Sequence, residues 1–211
     1  MKQAILGRRS VRLFKEDKVP KEKLIELIDM ARWAPSACNV QGLKFIVVDD
    51  NEMKQRIVDN GGSVVIKNAP QGLLVLYDSN TDNEEYKDHV QSACAAIENL
   101  MLYAYSQGIG TCWVNHLPRK KNLRKLFNVP ERYEPIAYVL LGYPLRDPAP
   151  VHRKYSVNDI VSYDSFDFEA EKEKPVFFRK FLRKIYYLLP VFIKKRVNPY
   201  IDRKYVKKFE N

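Results

Sequence analysis

Apolar residues recur three and four positions apart in several segments of the first half of the chain, the pattern of helices that bury one face. Pro20 stands just before one such segment and Pro35 just after it, as expected at the two ends of a helix. The segment before Gly108 is apolar nearly all round and predicts a buried central helix. The predicted helices cover residues 2–8, Lys21–Trp33, Glu52–Asn60 and Tyr86–Gln107.

Three continuous apolar runs, rich in β-branched residues, predict strands that are covered on both faces. They are Lys44–Asp49 (KFIVVD), Gly72–Tyr77 (GLLVLY) and Ile136–Leu141 (IAYVLL), and the turn 142–144 follows the third. No internal repeat is visible, which argues against solenoids and propellers. Helices mixed with interior strands imply a sandwich of helical layers and a sheet.

Length and composition are those of one globular domain with an appendage, because 211 residues are few for two full-sized domains. The first residues, MKQAILGRRS, lack the apolar core and cleavage site of a secretory signal, so a cytoplasmic protein is expected. Neither a CxxC pair nor an HExxH motif is present. Reduced thiols are therefore expected, and no metal site is predicted.

The positive charge is confined to the end of the chain. Residues 172–211 contain 13 Lys and Arg against 3 Asp and Glu, which equals the whole net charge of +10. Residues 1–171 carry 23 residues of each sign. Nucleic-acid binding by the main domain thus loses its chief support, because phosphate neutralisation needs a basic face.

Several nucleotide-binding and hydrolase motifs are missing. The Gly108-Ile109-Gly110 sequence has Trp113 where the dinucleotide-binding fingerprint needs its third glycine, and neither a GxxxxGK[ST] loop nor a GxSxG elbow occurs. Arg8-Arg9-Ser10-Val11-Arg12 places three guanidinium groups at a predicted helix end. That segment suits a phosphate dianion, or else forms a solvated basic turn.

Three further segments allow a binding interpretation and a structural one. In Ala34–Gln41, Ser, Asn and Gln side chains that donate and accept suit the edge of a flavin, or shape a polar turn. In Gly108–Trp113 (GIGTCW), the glycines let backbone approach a flat ring, or cap a helix. Arg153-Lys154 adds cations after the last strand, or is a surface pair.

Taken in order, six segments resemble the flavin-binding nitroreductase family: RRSVR, APSACNVQ, KNAPQGLLVLY, GIGTCW, VLLGYP and HRKYSVNDIV. The resemblance runs from about residue 3 to residue 165. It implies an α+β fold, an α/β/α sandwich with a mostly antiparallel central sheet. It also implies a domain-swapped homodimer with FMN at each subunit interface. The domain boundaries would be 1–168 for the FMN-binding domain and 169–211 for a basic amphipathic extension.

The resemblance also implies the site and its chemistry. One subunit would contribute Arg8, Arg9, Ser10, Arg12, Arg153 and Lys154, the other Pro35, Ser36, Asn39 and Gln41, with Gly110, Thr111 and Cys112 near the ring. Hydride would pass from NADH or NADPH through FMN to a small nitroaromatic, quinone or similar acceptor. No catalytic acid, base or nucleophile is implied, because the cofactor performs the chemistry. Alternatively, the protein is a flavin-binding module that its tail recruits to a membrane or an assembly.

The tail predicts an amphipathic basic helix that ends at Pro190. Its apolar positions are Phe178, Phe181, Leu182, Ile185, Leu188 and Leu189, and its basic positions are Arg179, Lys180, Arg183 and Lys184. The uncharged run Ile185–Ile193 is too short to span a bilayer. The apolar stripe is expected either to pack on the sister subunit or to lie on an anionic membrane surface. In the second case, residues 175–211 make the contact, and the protein is peripheral to the inner face of the membrane.

Overall fold

The computed structural model describes residues 1–80, 83–168, 181–182, 184–186 and 188–207. Its α-helices with defined bounds are α1 (Lys2–Gly7), α2 (Lys21–Arg32), α3 (Asn51–Asp59), α4 (Asp88–Ser106), α5 (Lys120–Phe127) and α6 (Val191–Lys207). The strands are β1 (Leu43–Val48), β2 (Gln71–Asp78), β3 (Gly110–Val114) and β4 (Tyr133–Gly142). Short 3₁₀ turns cover Ala37–Asn39, Val64–Asn68 and Asn158–Ile160.

The four strands form one antiparallel sheet in the order β1-β2-β4-β3. All eight residues of β2 are buried, because it lies between two strands and under helices on both faces. This double burial explains why its sequence is a continuous apolar run rather than an alternation. The register places Thr111 opposite Leu141, near the end of β4, and Tyr133 opposite Asp78, at its start.

Alternate residues of the central strands enter two separate cores. Leu73 and Val75 of β2 pack with the apolar faces of α2 and α4, while Leu74 and Leu76 pack with α3, α5 and the Val64–Asn68 turn. The α/β/α sandwich and the α+β class are thereby confirmed. The homodimer stays a prediction, as do the proposed domain boundaries.

Pro135 lies inside β4, where a proline removes one hydrogen bond of the ladder. The register between β2 and β4 shifts between Val75 and Leu76, directly opposite this residue. Within β4, the residues that pair with β3 are 138–142, so Pro135 lies outside that ladder. The missing donor thus coincides with a bulge in the pairing of β4 with β2.

Most predicted elements are found within one to three residues of their predicted bounds, but strand β3 within GIGTCW was not predicted. GIGTCW is not only a cap and turn: Gly108 ends α4 with a φ of 70°, and β3 begins at Gly110. Helices α5 and α6 were not predicted. Among the described residues, none of the helices has the length and apolar character needed to cross a membrane.

Candidate functional site

The arginine-rich segment after α1 is attached to the first residues of β3. The Val11 amide donates to the Thr111 carbonyl at 2.9 Å, and Ser10 forms a parallel bridge with Thr111. The absence of a side chain at Gly110 permits this approach, since a Cβ there would lie 2.9 Å from Cγ2 of Val11. Two segments separated by about a hundred residues of sequence therefore form one end of the site.

The buried thiol of Cys112 lies near two arginines of this segment, Arg8 and Arg12. Burial raises the pKa of the thiol, while the nearby Arg12 and Arg8 charges and a hydrogen bond with Ser10 oppose that rise. The net direction is upward, so the thiol stays neutral at physiological pH. Cys112 is 4% exposed and packs in the core, which agrees with a packing role rather than a nucleophilic one.

The arginines of this segment differ in their contacts. The Nε of Arg8 lies 3.3 Å from Oε1 of Glu98 on α4, and the side chain remains 23% exposed. Arg9 folds back, donating from Nη1 to the carbonyls of Leu6 at 2.8 Å and Arg8 at 2.6 Å. It therefore caps the end of α1. Its Nε is a buried donor without a partner among the described residues.

Asn68 is a member of this cluster that the sequence analysis did not single out. Its side-chain amide donates to the Arg12 carbonyl at 3.2 Å. The only sequence signal was its place in KNAPQ, just before β2. The contact holds the arginine segment to the Val64–Asn68 turn and so helps to orient Arg12.

The second predicted set lies in the loop that follows α2. The Gln41 amide donates to Oγ of Ser36 at 3.1 Å, and Nε2 of Gln41 donates to Oδ1 of Asn39 at 2.8 Å. Cys38, Asn39 and Gln41 have φ values of 49°, 55° and 51°. Left-handed backbone at non-glycine residues costs roughly 1–3 kcal/mol each and is typical of ligand-binding loops.

Pro35, Asn39 and Gln41 are exposed, so their polar groups face outward from the subunit. The loop is anchored behind them by the Ala37 amide, which donates to Oγ of Ser92 in the first turns of α4 at 3.1 Å. Gly42 follows the loop. A Cβ at this position would lie 2.7 Å from Cβ of Asp78, which explains the glycine.

A small cavity of about 40 Å³ lies behind this loop and was not foreseen from the sequence. Cys38, Tyr77 and His89 are among the residues that line it. The His89 side chain is 10% exposed and lies 3.6 Å from Glu134. Among the residues that the structure describes, neither the ring nitrogens of His89 nor the Tyr77 hydroxyl has a hydrogen-bond partner. The volume suffices for a water molecule that would satisfy these groups.

The two sets lie at opposite ends of the sheet. Thr111 pairs with a residue near the end of β4. The loop instead lies next to Asp78, whose amide donates to the Gly42 carbonyl at 3.0 Å. Asp78 pairs with the first residue of β4. Leu141, opposite Thr111, and Tyr133, opposite Asp78, are eight residues apart along β4, roughly 26 Å at the usual rise of a strand. The arginine segment and the loop are thus attached at different ends of β4.

The remaining predicted residues are placed as follows. Gly110, Thr111 and Cys112 are buried beneath the arginine segment. Arg153 and Lys154 lie in an exposed stretch after β4, with the Lys154 ammonium 4.1 Å from the centroid of the Tyr155 ring. Their contact with a flavin phosphate is not tested by this geometry and stays a prediction.

The residues of the two sets suit a phosphorylated flavin. The cluster near Cys112 offers guanidinium groups and one unsatisfied buried donor on Arg9, which an anion can use. The exposed amides of Asn39 and Gln41 can donate and accept in the pattern that the edge of a flavin requires. Both sets fit the cofactor provided that two subunits share it.

Comparisons with known proteins identify the family of the chain. The model of the Nitroreductase family matches residues 5–71 and 58–143. A putative NADH dehydrogenase/NAD(P)H nitroreductase of Methanothermobacter thermautotrophicus is 33% identical over 150 residues, which are 69% of this chain and 78% of that protein. A protein of the same description from Archaeoglobus fulgidus is 35% identical over 144 residues, 66% of this chain and 83% of that one.

A solved structure shows the same fold. The FMN-dependent nitroreductase of Clostridium difficile R20291 superposes with a TM-score of 0.68 at 26% identity. The match covers all of that protein and 79% of this chain, so about a fifth of this chain has no counterpart there. On the family model and the relatives together, the chain belongs to the nitroreductase family.

Proposed function

We propose that the protein is an FMN-dependent oxidoreductase that works as a homodimer. It takes hydride from NADH or NADPH and passes it to a small electron-poor acceptor, a nitroaromatic, a quinone or a similar molecule. Family membership supports the class of chemistry. The single observation that carries the proposal is the placement of two flavin-suited residue sets at opposite ends of one subunit, near Thr111 and near Asp78.

Arg8 and Arg12 would bind the phosphate of FMN. Guanidinium groups make paired, charge-assisted hydrogen bonds to phosphate oxygens, and the planar fork fits their spacing. Ser10 lies between them and is held to β3 by its bridge with Thr111. The rigid strand therefore fixes where the phosphate can lie.

Asn39 and Gln41 of the other subunit would orient the ring through their amides. Their left-handed backbone and mutual hydrogen bond limit the directions in which they can point. FMN, when bound, supplies the hydride-transfer chemistry, while the protein sets its orientation and its electrostatic surroundings. The neutral thiol of Cys112 adds no charge near the ring.

The flavin spectrum of the purified protein tests this proposal. The proposal predicts visible flavin absorbance after incubation with FMN and desalting, loss of that absorbance when NADH or NADPH is added without oxygen, and its return with a nitroaromatic or a quinone. A preparation that remains colourless after incubation with excess FMN would contradict it.

A second candidate is a flavin-binding module without turnover of its own, which the tail recruits to a membrane or a larger assembly. The exposed apolar residues of the tail favour recruitment, including Leu188 and Phe192 at 68% and 66% exposure. Steady oxidation of NADH or NADPH in the presence of a quinone supports the enzyme. A flavin that is reduced once and then not reoxidised by any acceptor supports the module. Both candidates are expected in the cytoplasm.

A further inference from the structure

Helix α6 buries polar residues and exposes aromatic ones, the reverse of an ordinary surface helix. Lys194, Asn198 and Asp202, spaced four apart, are 6%, 2% and 7% exposed. Phe192 and Tyr200 are 66% and 76% exposed. The helix is therefore attached to its own domain by a polar stripe, which neither interpretation of the tail anticipated.

The polar stripe is held by direct hydrogen bonds to the main domain. Oδ2 of Asp202 accepts from the Val64 amide at 2.8 Å, and the amide of Asn198 donates to the Gly62 carbonyl at 3.4 Å. These contacts join the tail to the turn after α3. They fix which side of α6 faces inward.

A second group of contacts fixes the segment before α6. The Tyr186 hydroxyl donates to Oδ1 of Asn198 at 2.5 Å and lies 2.5 Å from Nε2 of His116. The ammonium of Lys194 lies 5.4 Å from the centre of the Tyr186 ring. Residues 184–186 and α6 are thus held as one unit against the domain, and their other sides remain outward.

We name six exposed residues before and along α6 the tail face: Lys184, Leu188, Phe192, Arg196, Tyr200 and Arg203. All six are exposed. Four of them, from Phe192 to Arg203, follow spacings of four, four and three, so aromatic and basic side chains alternate along one side of α6. Large exposed apolar side chains in such a cluster usually mark an interaction surface.

We propose that the tail face is a docking surface for an anionic lipid membrane. Aromatic and leucine side chains enter the interfacial region of a bilayer while neighbouring Lys and Arg side chains bind its acidic headgroups. Residues 172–211 carry a net charge of +10, which complements such a surface. The docking places the domain beside the bilayer without a span through it.

Charge also argues against a second copy of the chain as the occupant. Residues 1–171 have equal numbers of acidic and basic residues, so the domain offers no acidic surplus to receive a basic tail. Two tail faces meeting across a twofold axis would place like charges together. The proposal stands apart from the flavin chemistry and can hold or fail without it.

Vesicle sedimentation with the full chain tests the proposal. The protein should sediment with vesicles of phosphatidylglycerol and phosphatidylcholine at low salt but not with phosphatidylcholine alone. It should be released at about 1 M salt, where charges are screened beyond a few ångströms. The double variant Arg196→Glu, Arg203→Glu should lower vesicle affinity about tenfold or more.

The matched control is Lys21→Glu, Lys23→Glu, an equal charge change on exposed residues of α2, which packs on the opposite side of the sheet. It should bind vesicles nearly as well as the parent protein. A third variant, Leu188→Ser, Phe192→Ser, should lose vesicle binding and keep its oligomeric state in analytical ultracentrifugation.

Two results would overturn the proposal. One is a parent protein that stays in the supernatant with anionic vesicles at low salt. The other is a Leu188→Ser, Phe192→Ser variant that falls apart into monomers while its vesicle binding is unchanged, since the tail face would then be a contact between subunits.

Discussion

The position of Gly110 links the arginine segment to the sheet. A Cβ there would lie 2.9 Å from Cγ2 of Val11 and 3.1 Å from Cγ of Pro144, both tighter than ordinary contact. Gly110→Ala should therefore lower the free energy of unfolding by about 1–3 kcal/mol, the usual cost of overpacking. Urea unfolding measures it, and FMN affinity should fall as well because Ser10 and Arg12 would move.

The double variant Gly110→Ala, Val11→Ala serves as the control. Removing the methyl groups of Val11 makes room for the new Cβ, so the combined loss of stability should be smaller than the sum of the two single losses. Strictly additive losses would show that this contact does not limit position 110.

Arg8 is one of the two arginines proposed to bind the phosphate of FMN, and its side chain is 23% exposed. Arg8→Ala should weaken FMN retention about tenfold to a hundredfold, because it removes charge-assisted bonds of about 1.5–3 kcal/mol. Fluorescence titration with FMN gives the affinity, and Arg153→Ala should behave similarly. Arg56→Ala, an exposed arginine of α3, is the control and should bind like the parent. If Arg8→Ala and Arg153→Ala both keep the parent affinity, the phosphate lies elsewhere.

Part of the candidate site could be predicted from the chemistry of its residues. Guanidinium groups within one short segment and amides after a helix suggest anion and ring contacts wherever they occur. Asn68, His89 and Tyr77 were missed, because their significance comes from distant partners such as Arg12 and Glu134. Such contacts exist only after the sheet has formed.

The end of β2 is tied to the loop before β4 by an ion pair. Nε and Nη2 of Arg132 lie 2.7 and 2.5 Å from Oδ2 of Asp78. The hydrogen bond from Arg132 lowers the pKa of Asp78 below its ordinary value. A lowered pKa in the folded state stabilises the protein above about pH 4, and that contribution is lost as the pH falls through the lowered pKa.

Asp78→Asn should accordingly reduce stability at pH 7, with a gap from the parent that narrows as the pH falls toward 3. Thermal unfolding across this range measures it. The control is Asp17→Asn, at an exposed position, whose stability should change with pH in the same way as that of the parent. A gap for Asp78→Asn that is the same at every pH would contradict the electrostatic explanation.

The buried carboxylate of Asp202 is one of the groups that attach α6 to the domain. Asp202→Ala should leave the Val64 amide without its acceptor and cost about 1–3 kcal/mol. Hydrogen exchange should rise across residues 191–207. Asp59→Ala is the control, because Asp59 forms an exposed ion pair with Lys195 at 3.1 Å, worth at most about 1 kcal/mol. Equal exchange in the two variants would rule out the buried carboxylate as the attachment.

The elements that the sequence missed carry weak patterns for physical reasons. Strand β3 has only five residues and begins with a glycine, and helix α5 has a single fully buried residue, Leu123. Helix α6 buries polar residues, so an apolar periodicity cannot reveal it. The long, doubly covered β2 and the apolar α4 were read correctly, because burial on several sides leaves a strong signal.

One subunit alone does not form the complete flavin site that we propose. Its arginine segment is attached beside the end of β4 and its amide loop beside the start, eight residues away along the strand. A twofold arrangement that brings each end against the opposite end of a partner would form two identical sites. Family membership supports this arrangement. The attachment of the two sets at different ends of β4 explains why two subunits would be needed.

The FMN occupancy of mixed dimers tests this arrangement most directly. One variant carries Arg8→Ala and Arg12→Ala, and the other carries Asn39→Ala and Gln41→Ala, so neither has an intact site alone. Coexpression should restore about a quarter of the sites, since half of randomly paired dimers are mixed and each has one intact site. Mixed dimers that bind no more FMN than either parent variant would contradict a site shared between two chains.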